Sequence, residues 1–328
     1  MAATVAIAGA GVAGSYLYGL LRRSGVPADL YDTGPGTTCG LTPCAWGTSR
    51  GFAELVAAAG LDPDAYVLRR LSHLVADGVR LRVEVLTFDK PRLVADLRGG
   101  GSVRPGTPDP ARYRRVIDAT GTARALLPPV ADDLVLRCVQ GRVRTAAQWT
   151  NRIELGGIGY AWCFPLEDGS YHVGCGSLLD DPAARLRSLG WLDGAAAGDA
   201  GEVRCRCGGR IRLTGPHGAR PFVVRRGQGE VWGVGEAVGC VAPLAGDGVV
   251  PSMRSAHLLW KHWEDPHGYA RALLEEFGWM REERRVLDKL RANRRLSLAD
   301  ANVLVRNSRR MGMEIGVTQA LRLIRRIR

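Results

Sequence analysis

Thr4-Val-Ala-Ile-Ala-Gly9-Ala-Gly11-Val-Ala-Gly14 is a short apolar run that meets three glycines at fixed spacing. Thr4 to Ala8 suits a strand buried on both faces, and Ser15 to Ser24 reads as a helix closed by Gly25. Between them Gly9 permits the tight bend, Gly11 lets backbone approach a pyrophosphate, and Gly14 lets helix pack on strand. The helix N-terminus, with Ala13 in the turn just before it, meets the phosphate charge. Ala28-Asp-Leu-Tyr-Asp32 is a second strand whose terminal acid, 18 residues after Gly14, is placed to accept hydrogen bonds from an adenosine ribose. Strand, turn, helix, strand and acid agree on a dinucleotide-binding unit.

The rest of the chain is compatible with that start. Its 328 residues, 46% hydrophobic and 24% charged, can bury a core of ordinary size, which excludes disorder and a collagen-like fibre. Forty-three glycines without low-complexity runs point to many tight turns. The net charge is +12, and the last 48 residues, with 14 basic and 5 acidic side chains, carry +9 of it. Such a tail suits anionic lipid, nucleic acid or an acidic partner. No aromatic follows Trp279, which argues against stacking on single strands, so no nucleic acid is expected. The first residues lack a charged n-region and no window offers 18 uninterrupted apolar residues, so the chain reads as cytoplasmic, without a spanning helix. Eight cysteines in that setting are free thiols, catalytic groups or metal ligands sooner than disulfides. Cys205-Arg-Cys207 with Cys39 and Cys44 lacks a repeated ligand spacing, and no metal is expected.

Three later segments say which dinucleotide. Tyr113-Arg-Arg-Val-Ile-Asp-Ala-Thr-Gly121 reads as a strand running into a tight turn, and Glu230-Val-Trp-Gly-Val-Gly-Glu-Ala237 as another ending in Gly and an acid. Pro243-Leu-Ala-Gly-Asp-Gly248 and a helix follow. In this order the set resembles the FAD-dependent oxidoreductases that have a split Rossmann domain and an inserted substrate domain. The resemblance implies FAD, with Gly121, Gly235 and Glu236 at the cofactor. It also implies that Pro243, Gly246, Gly248 and Val249 bring a helix N-terminus toward the isoalloxazine, where the dipole would stabilise negative charge. The class usually has Gly-Asp-Ala; this chain has Gly235-Glu236-Ala237, one methylene longer.

Residues from about 131 to 232 alternate in strand-like fashion, with turns expected at Gly156-Gly157, Glu167-Asp-Gly169 and Gly208-Gly209. Gly159-Tyr-Ala-Trp-Cys-Phe-Pro165 and Tyr171-His-Val-Gly-Cys-Gly176 form a hairpin that puts Tyr160, Trp162 and Phe164 on one face. Ordinary core packing is the plain reading of three such aromatics. This hairpin is similar to the YxWxFP and GxG signature of the geranylgeranyl reductase family, flavoenzymes that saturate isoprenoid double bonds. The likeness extends to Thr42-Pro-Cys44-Ala-Trp-Gly-Thr-Ser49, whose cysteine it places near the flavin, and to Arg69 before Leu71 and Gly78-Val79. It therefore implies Cys44 as a catalytic group beside the flavin, Ala45 and Arg69 at the cofactor, and Trp46, Tyr160, Trp162 and Phe164 against substrate. Cys39-Gly40 competes with Cys44 for the flavin-side place, and the sequence puts no His or Lys beside Cys44.

The expected architecture is thus α/β. Residues 1–130 and 228–265 form the FAD-binding domain, 131–227 an inserted antiparallel β-sheet substrate domain, and 266–328 a basic helical C-terminal region. Helices are expected over Arg281–Arg295, Leu298–Arg309 with Ser297 as cap, and Thr318–Ile327. The last either packs Leu321, Leu323, Ile324 and Ile327 on the body or rests on an anionic membrane surface. The resemblance implies reduction of C=C bonds in a prenylated lipid or prenyl diphosphate, with reduced nicotinamide or a ferredoxin-type protein as electron donor. The alternative is an FAD-dependent hydroxylase or halogenase of an aromatic substrate. For a halogenase, Lys90, Lys261 and Lys289 offer no evident catalytic lysine.

Overall fold

The computed structural model describes residues 4–34, 44–145, 148–192 and 202–327. Two sheets organise them. In the first, β1 (Val5–Ala8) is buried along its whole length and pairs in parallel with β2 (Ala28–Asp32) and β7 (Arg115–Asp118). Neighbours on both sides and helices above explain why no polar side chain interrupts it. Beyond β2 lies β6 (Val103–Pro105); beyond β7 lie β14 (Gly229–Gly233), also parallel, and the antiparallel edge strand β13 (Val223–Arg226). Helix α1 (Val12–Arg23) begins three residues before the expected Ser15 because Gly11 takes the N-cap position. It packs on α3 (Lys90–Arg98) and α5 (Val249–Lys261), burying Tyr16, Leu17 and Leu21.

The second sheet runs β12 (Glu202–Arg212), β8 (Val135–Arg144), β11 (Ser170–Ser177), β10 (Gly159–Pro165), β9 (Arg152–Leu155), β4 (Val67–Ala76), β5 (Val79–Phe88) and β15 (Met313–Glu314). β3 (Gly47–Thr48) also pairs with β5, and only the β4–β9 pair is parallel. The expected hairpin is present in the expected register, Tyr160 opposite Gly176 and Trp162 opposite Gly174.

Sheet membership departs from the boundaries read in the sequence. β3, β4 and β5, placed within 1–130, belong to the second sheet, and β13, placed within 131–227, belongs to the first. The reason is visible in β5, where Val79, Leu81 and Val83 are buried and Arg80, Arg82 and Glu84 exposed. A strand with one wet face suits an antiparallel sheet and not one sandwiched between helices. Gly208-Gly209 is no turn either: it lies inside β12, opposite Val139 and Cys138.

Short helices α2 (Phe52–Ala58) and α4 (Pro182–Ser188) flank the sheets, and the chain finishes in α6 (Pro266–Glu276), α7 (Gly278–Arg291), α8 (Leu298–Arg310) and α9 (Val317–Ile324). Ser297 caps α8 in a reciprocal box with Asp300. α9 buries Ala320, Leu323 and Ile324 and leaves Arg322 and Arg325 exposed. Leu323 packs with Leu74, Ala76, Leu81 and Val83 of the second sheet, so the body covers that part of the apolar stripe. No helix of the described residues is long and apolar enough to cross a membrane.

Candidate active site

A cavity of about 1150 Å³ is lined by residues of both sheets and of the C-terminal helices. At one end lie Gly9, Gly11, Ala13 and Asp32. Gly9 has φ 104°, and a Cβ there would stand 2.3 Å from the Ala119 carbonyl oxygen; one on Gly14 would stand 1.9 Å from that of Gly9. Only glycine lets this turn close. Gly11 faces open space, with nothing within 4 Å of a Cβ, and α1 starts there without a side-chain cap. Its first N–H groups and positive dipole end are therefore available to an anion. Asp32 is held at the rim by the N–H groups of Ala10 at 2.8 Å and Gly34 at 2.9 Å. An open glycine cradle, an uncapped helix start and a fixed carboxylate fit FAD, whose pyrophosphate Gly11 and Ala13 would meet and whose adenosine ribose Asp32 would bind.

Gly121 and Glu236 come next along the wall. The longer glutamate turns back into the protein: its Oε1 accepts from the Arg212 backbone N–H at 2.6 Å and from Thr122 Oγ1 at 3.0 Å. Burial raises its pKa against these bonds. The Arg212 guanidinium donates to the carbonyl oxygens of Thr122 at 2.8 Å and Glu236 at 3.1 Å, while Asp133 holds it through both oxygens. Arg212 thus clamps two cofactor-side turns, a role its place in a strand of mixed polarity did not betray. Gly235, with φ 65°, stands behind the lining, where a Cβ would lie 2.7 Å from that of Ala13. Gly14 likewise serves the turn from behind.

In the middle of the cavity, the loop 243–248 is held from three separate parts of the chain. Tyr160 donates its hydroxyl to the Ala245 carbonyl, Ser49 donates to Asp247 Oδ2 at 2.8 Å, and Glu283 of α7 accepts from the Leu244 N–H at 3.2 Å. Asp247 Oδ1 in turn accepts from the Val249 N–H at 2.9 Å, at the first residue of α5. Burial raises the pKa of Asp247, and the Ser49 hydroxyl opposes it. Pro243, Gly246, Gly248 and Val249 all line the cavity here, beside Cys44 and Ala45. So does Lys90, at the start of α3 and 9% exposed, so one lysine does reach the site.

The far end is an apolar chamber. Its floor is the second sheet, with Tyr160, Trp162 and Phe164 as expected and Leu74 and Val83 beyond them. Its roof is Leu287, Leu304, Met311, Leu323 and Ile327 from the C-terminal region. Trp162 lies across Gly174, where a Cβ would stand 2.1 Å from the indole ring.

Two further expected residues lie off the lining. Trp46, with φ 55°, turns away from the lining and meets the His172 ring edge-on at 4.6 Å. His172 is pushed down to about 4 by burial, so it stays neutral near pH 7, and its Nδ1 sits 3.2 Å from the Ala45 carbonyl. The pair braces the Cys44–Ala45 segment from behind. Arg69 donates to the carbonyls of Leu166 at 3.3 Å and Glu167 at 3.1 Å, so it fastens the hairpin turn instead of a cofactor. Cys39, Thr42 and Pro43 lie outside the described residues.

Glu283 was missed, although Met280, Glu283, Leu287 and Leu290 follow helical spacing and an acid in such a stripe is a signal.

Solved structures share this fold. A geranylgeranyl bacteriochlorophyll reductase-like protein from Thermoplasma acidophilum matches with a TM-score of 0.72 at 18% identity, covering 98% of this chain and 95% of that one. A flavoprotein/dehydrogenase from Cytophaga hutchinsonii matches at 0.62 and 14% identity, covering 92% of each chain. A probable FAD-dependent monooxygenase from Pseudomonas aeruginosa matches at 0.59 and 17% identity, covering 88% of this chain and 96% of that one. No protein-family model matches the sequence, and no curated protein does.

Proposed function

We propose that the chain is an FAD-dependent oxidoreductase that saturates C=C bonds of an isoprenoid chain carried by a lipid or a diphosphate. The observation that carries this reading is one continuous cavity, from Gly11 and Asp32, past Cys44 and the loop 243–248, into an apolar chamber. FAD bound at the first end would, once reduced, supply a hydride to the substrate. The residues of the chain do the rest. The aromatic floor and the leucine-rich roof bind a long apolar chain, each Å² of buried apolar surface contributing about 25 cal/mol. The apolar walls of the chamber leave water no polar partner and hold the alkene against the cofactor end, which an unactivated double bond requires. Cys44, at the meeting of the two halves, contacts the reacting carbons.

Likeness to a protein described as geranylgeranyl reductase-like supports this reading. A second reading, oxygenation or halogenation of an aromatic substrate, draws on the likeness to a probable monooxygenase and on Lys90 in the cavity wall. One experiment separates them. The protein is reduced with dithionite without oxygen, a geranylgeranyl lipid or diphosphate is added, and flavin reoxidation and product mass are followed. The proposal requires oxidised flavin to return only with prenyl substrate, with two mass units gained per bond. Flavin that stays reduced until oxygen enters refutes it and favours the second reading.

A further inference from the structure

Glu283 lines the cavity from α7 and is 4% exposed. Its neighbours on the helix face are Met280, Leu287 and Leu290, and across the cavity wall it meets Leu244. No ion pair of the described residues includes it. Arg306 of α8 is taken by Glu282, and Asp247 of the facing loop is turned to Ser49 and Val249. Asn307, also from α8 and wholly buried, lies beside the carboxyl. Its Nδ2 donates to the Trp279 carbonyl at 3.4 Å, and its Oδ1 has no partner. A carboxyl buried in an apolar wall with no cation to stabilise its charge favours the protonated form.

We propose that Glu283 is the acid that delivers a proton to the substrate in the chamber. This rests on the reductase reading. One alkene carbon takes a hydride, with both electrons coming from reduced flavin. The other takes the proton as the Glu283 O–H bond breaks, and solvent reprotonates the carboxylate. Two C–H bonds replace one C=C π bond. Burial in an apolar wall holds the Glu283 carboxyl up at about 7, aided by the like charge of Glu282 and opposed by the Leu244 N–H and the Asn307 amide. An acid of that strength gives and regains a proton near neutrality.

Wild type, Glu283→Gln and Glu283→Asp test the role. In the protein as purified, the infrared spectrum near neutral pH carries a carboxylic-acid C=O band that Glu283→Gln lacks; identical spectra overturn the proposal. In the anaerobic reoxidation assay, the wild-type rate falls as pH rises through about 7. Glu283→Gln loses a factor of about 100 or more at unchanged substrate affinity, and its residual rate is flat with pH. If Glu283→Gln does not fold, Glu283→Asp carries the test: a displaced pH profile supports the role and an identical one overturns it. A Gln variant with wild-type rate and profile sinks the proton donor alone. Wild type that is never reoxidised by prenyl substrate sinks the reductase reading and the donor with it.

Discussion

Glu283 pays for its position in stability, and the sign can be worked out. Its carboxyl is raised by burial to about 7, so the folded state holds the proton more tightly than the unfolded one. At pH values below the unfolded value of about 4.3 both states are protonated and there is no penalty. Between that value and 7 the unfolded state gains by ionising, and above 7 the penalty levels off at about 4 kcal/mol. Glu283→Gln keeps the acceptor for the Leu244 N–H and cannot ionise. It is therefore expected to stabilise the protein by up to that amount at pH 8.5 and hardly at all at pH 4, in denaturant titrations. An equal gain at both pH values would mean that burial is not the cause. Glu283, Arg212 and His172 were the least legible residues, because each acts through a partner more than 20 residues away, apart from its own helix or strand.

At the scale of elements, legibility followed the number of wet faces. The β10–β11 hairpin was readable because aromatics and glycines alternate with period two and a short acidic turn joins them. Its packing is equally exacting. The indole of Trp162 occupies the space above Gly174, so Gly174→Ala must push it toward the cavity. The expected cost is about 1–3 kcal/mol, with a change in tryptophan emission. Unaltered emission with an unaltered melting temperature would show that the ring has room to give. The β4–β5 hairpin alternates as clearly, yet its position between two Rossmann strands placed it within the 1–130 stretch read as the FAD-binding domain, although it joins the second sheet. α9 was ambiguous for a related reason: an arginine-flanked apolar stripe looks the same whether protein or lipid covers it.

For the whole molecule, the C-terminal region is the roof of the chamber, and this sets how long a chain it can hold. Leu323→Trp adds bulk between α9 and β4–β5 without touching the Gly11 and Asp32 end. It is expected to leave FAD affinity unchanged, and to weaken a geranylgeranyl substrate by tenfold or more while sparing a geranyl one. Equal losses for both would place the chain elsewhere. By itself the sequence determined the dinucleotide turn, the strand and helix around it, the aromatic face of the hairpin and the uneven charge, since these follow from local spacing and backbone geometry. Only the tertiary structure decided that Trp46 braces from behind, that Arg69 fastens the hairpin turn, that Lys90 and Glu283 reach the cavity, and that the basic tail roofs it. Those outcomes depend on which distant segments come into contact, and residue pattern along one element carries no information about what packs on it.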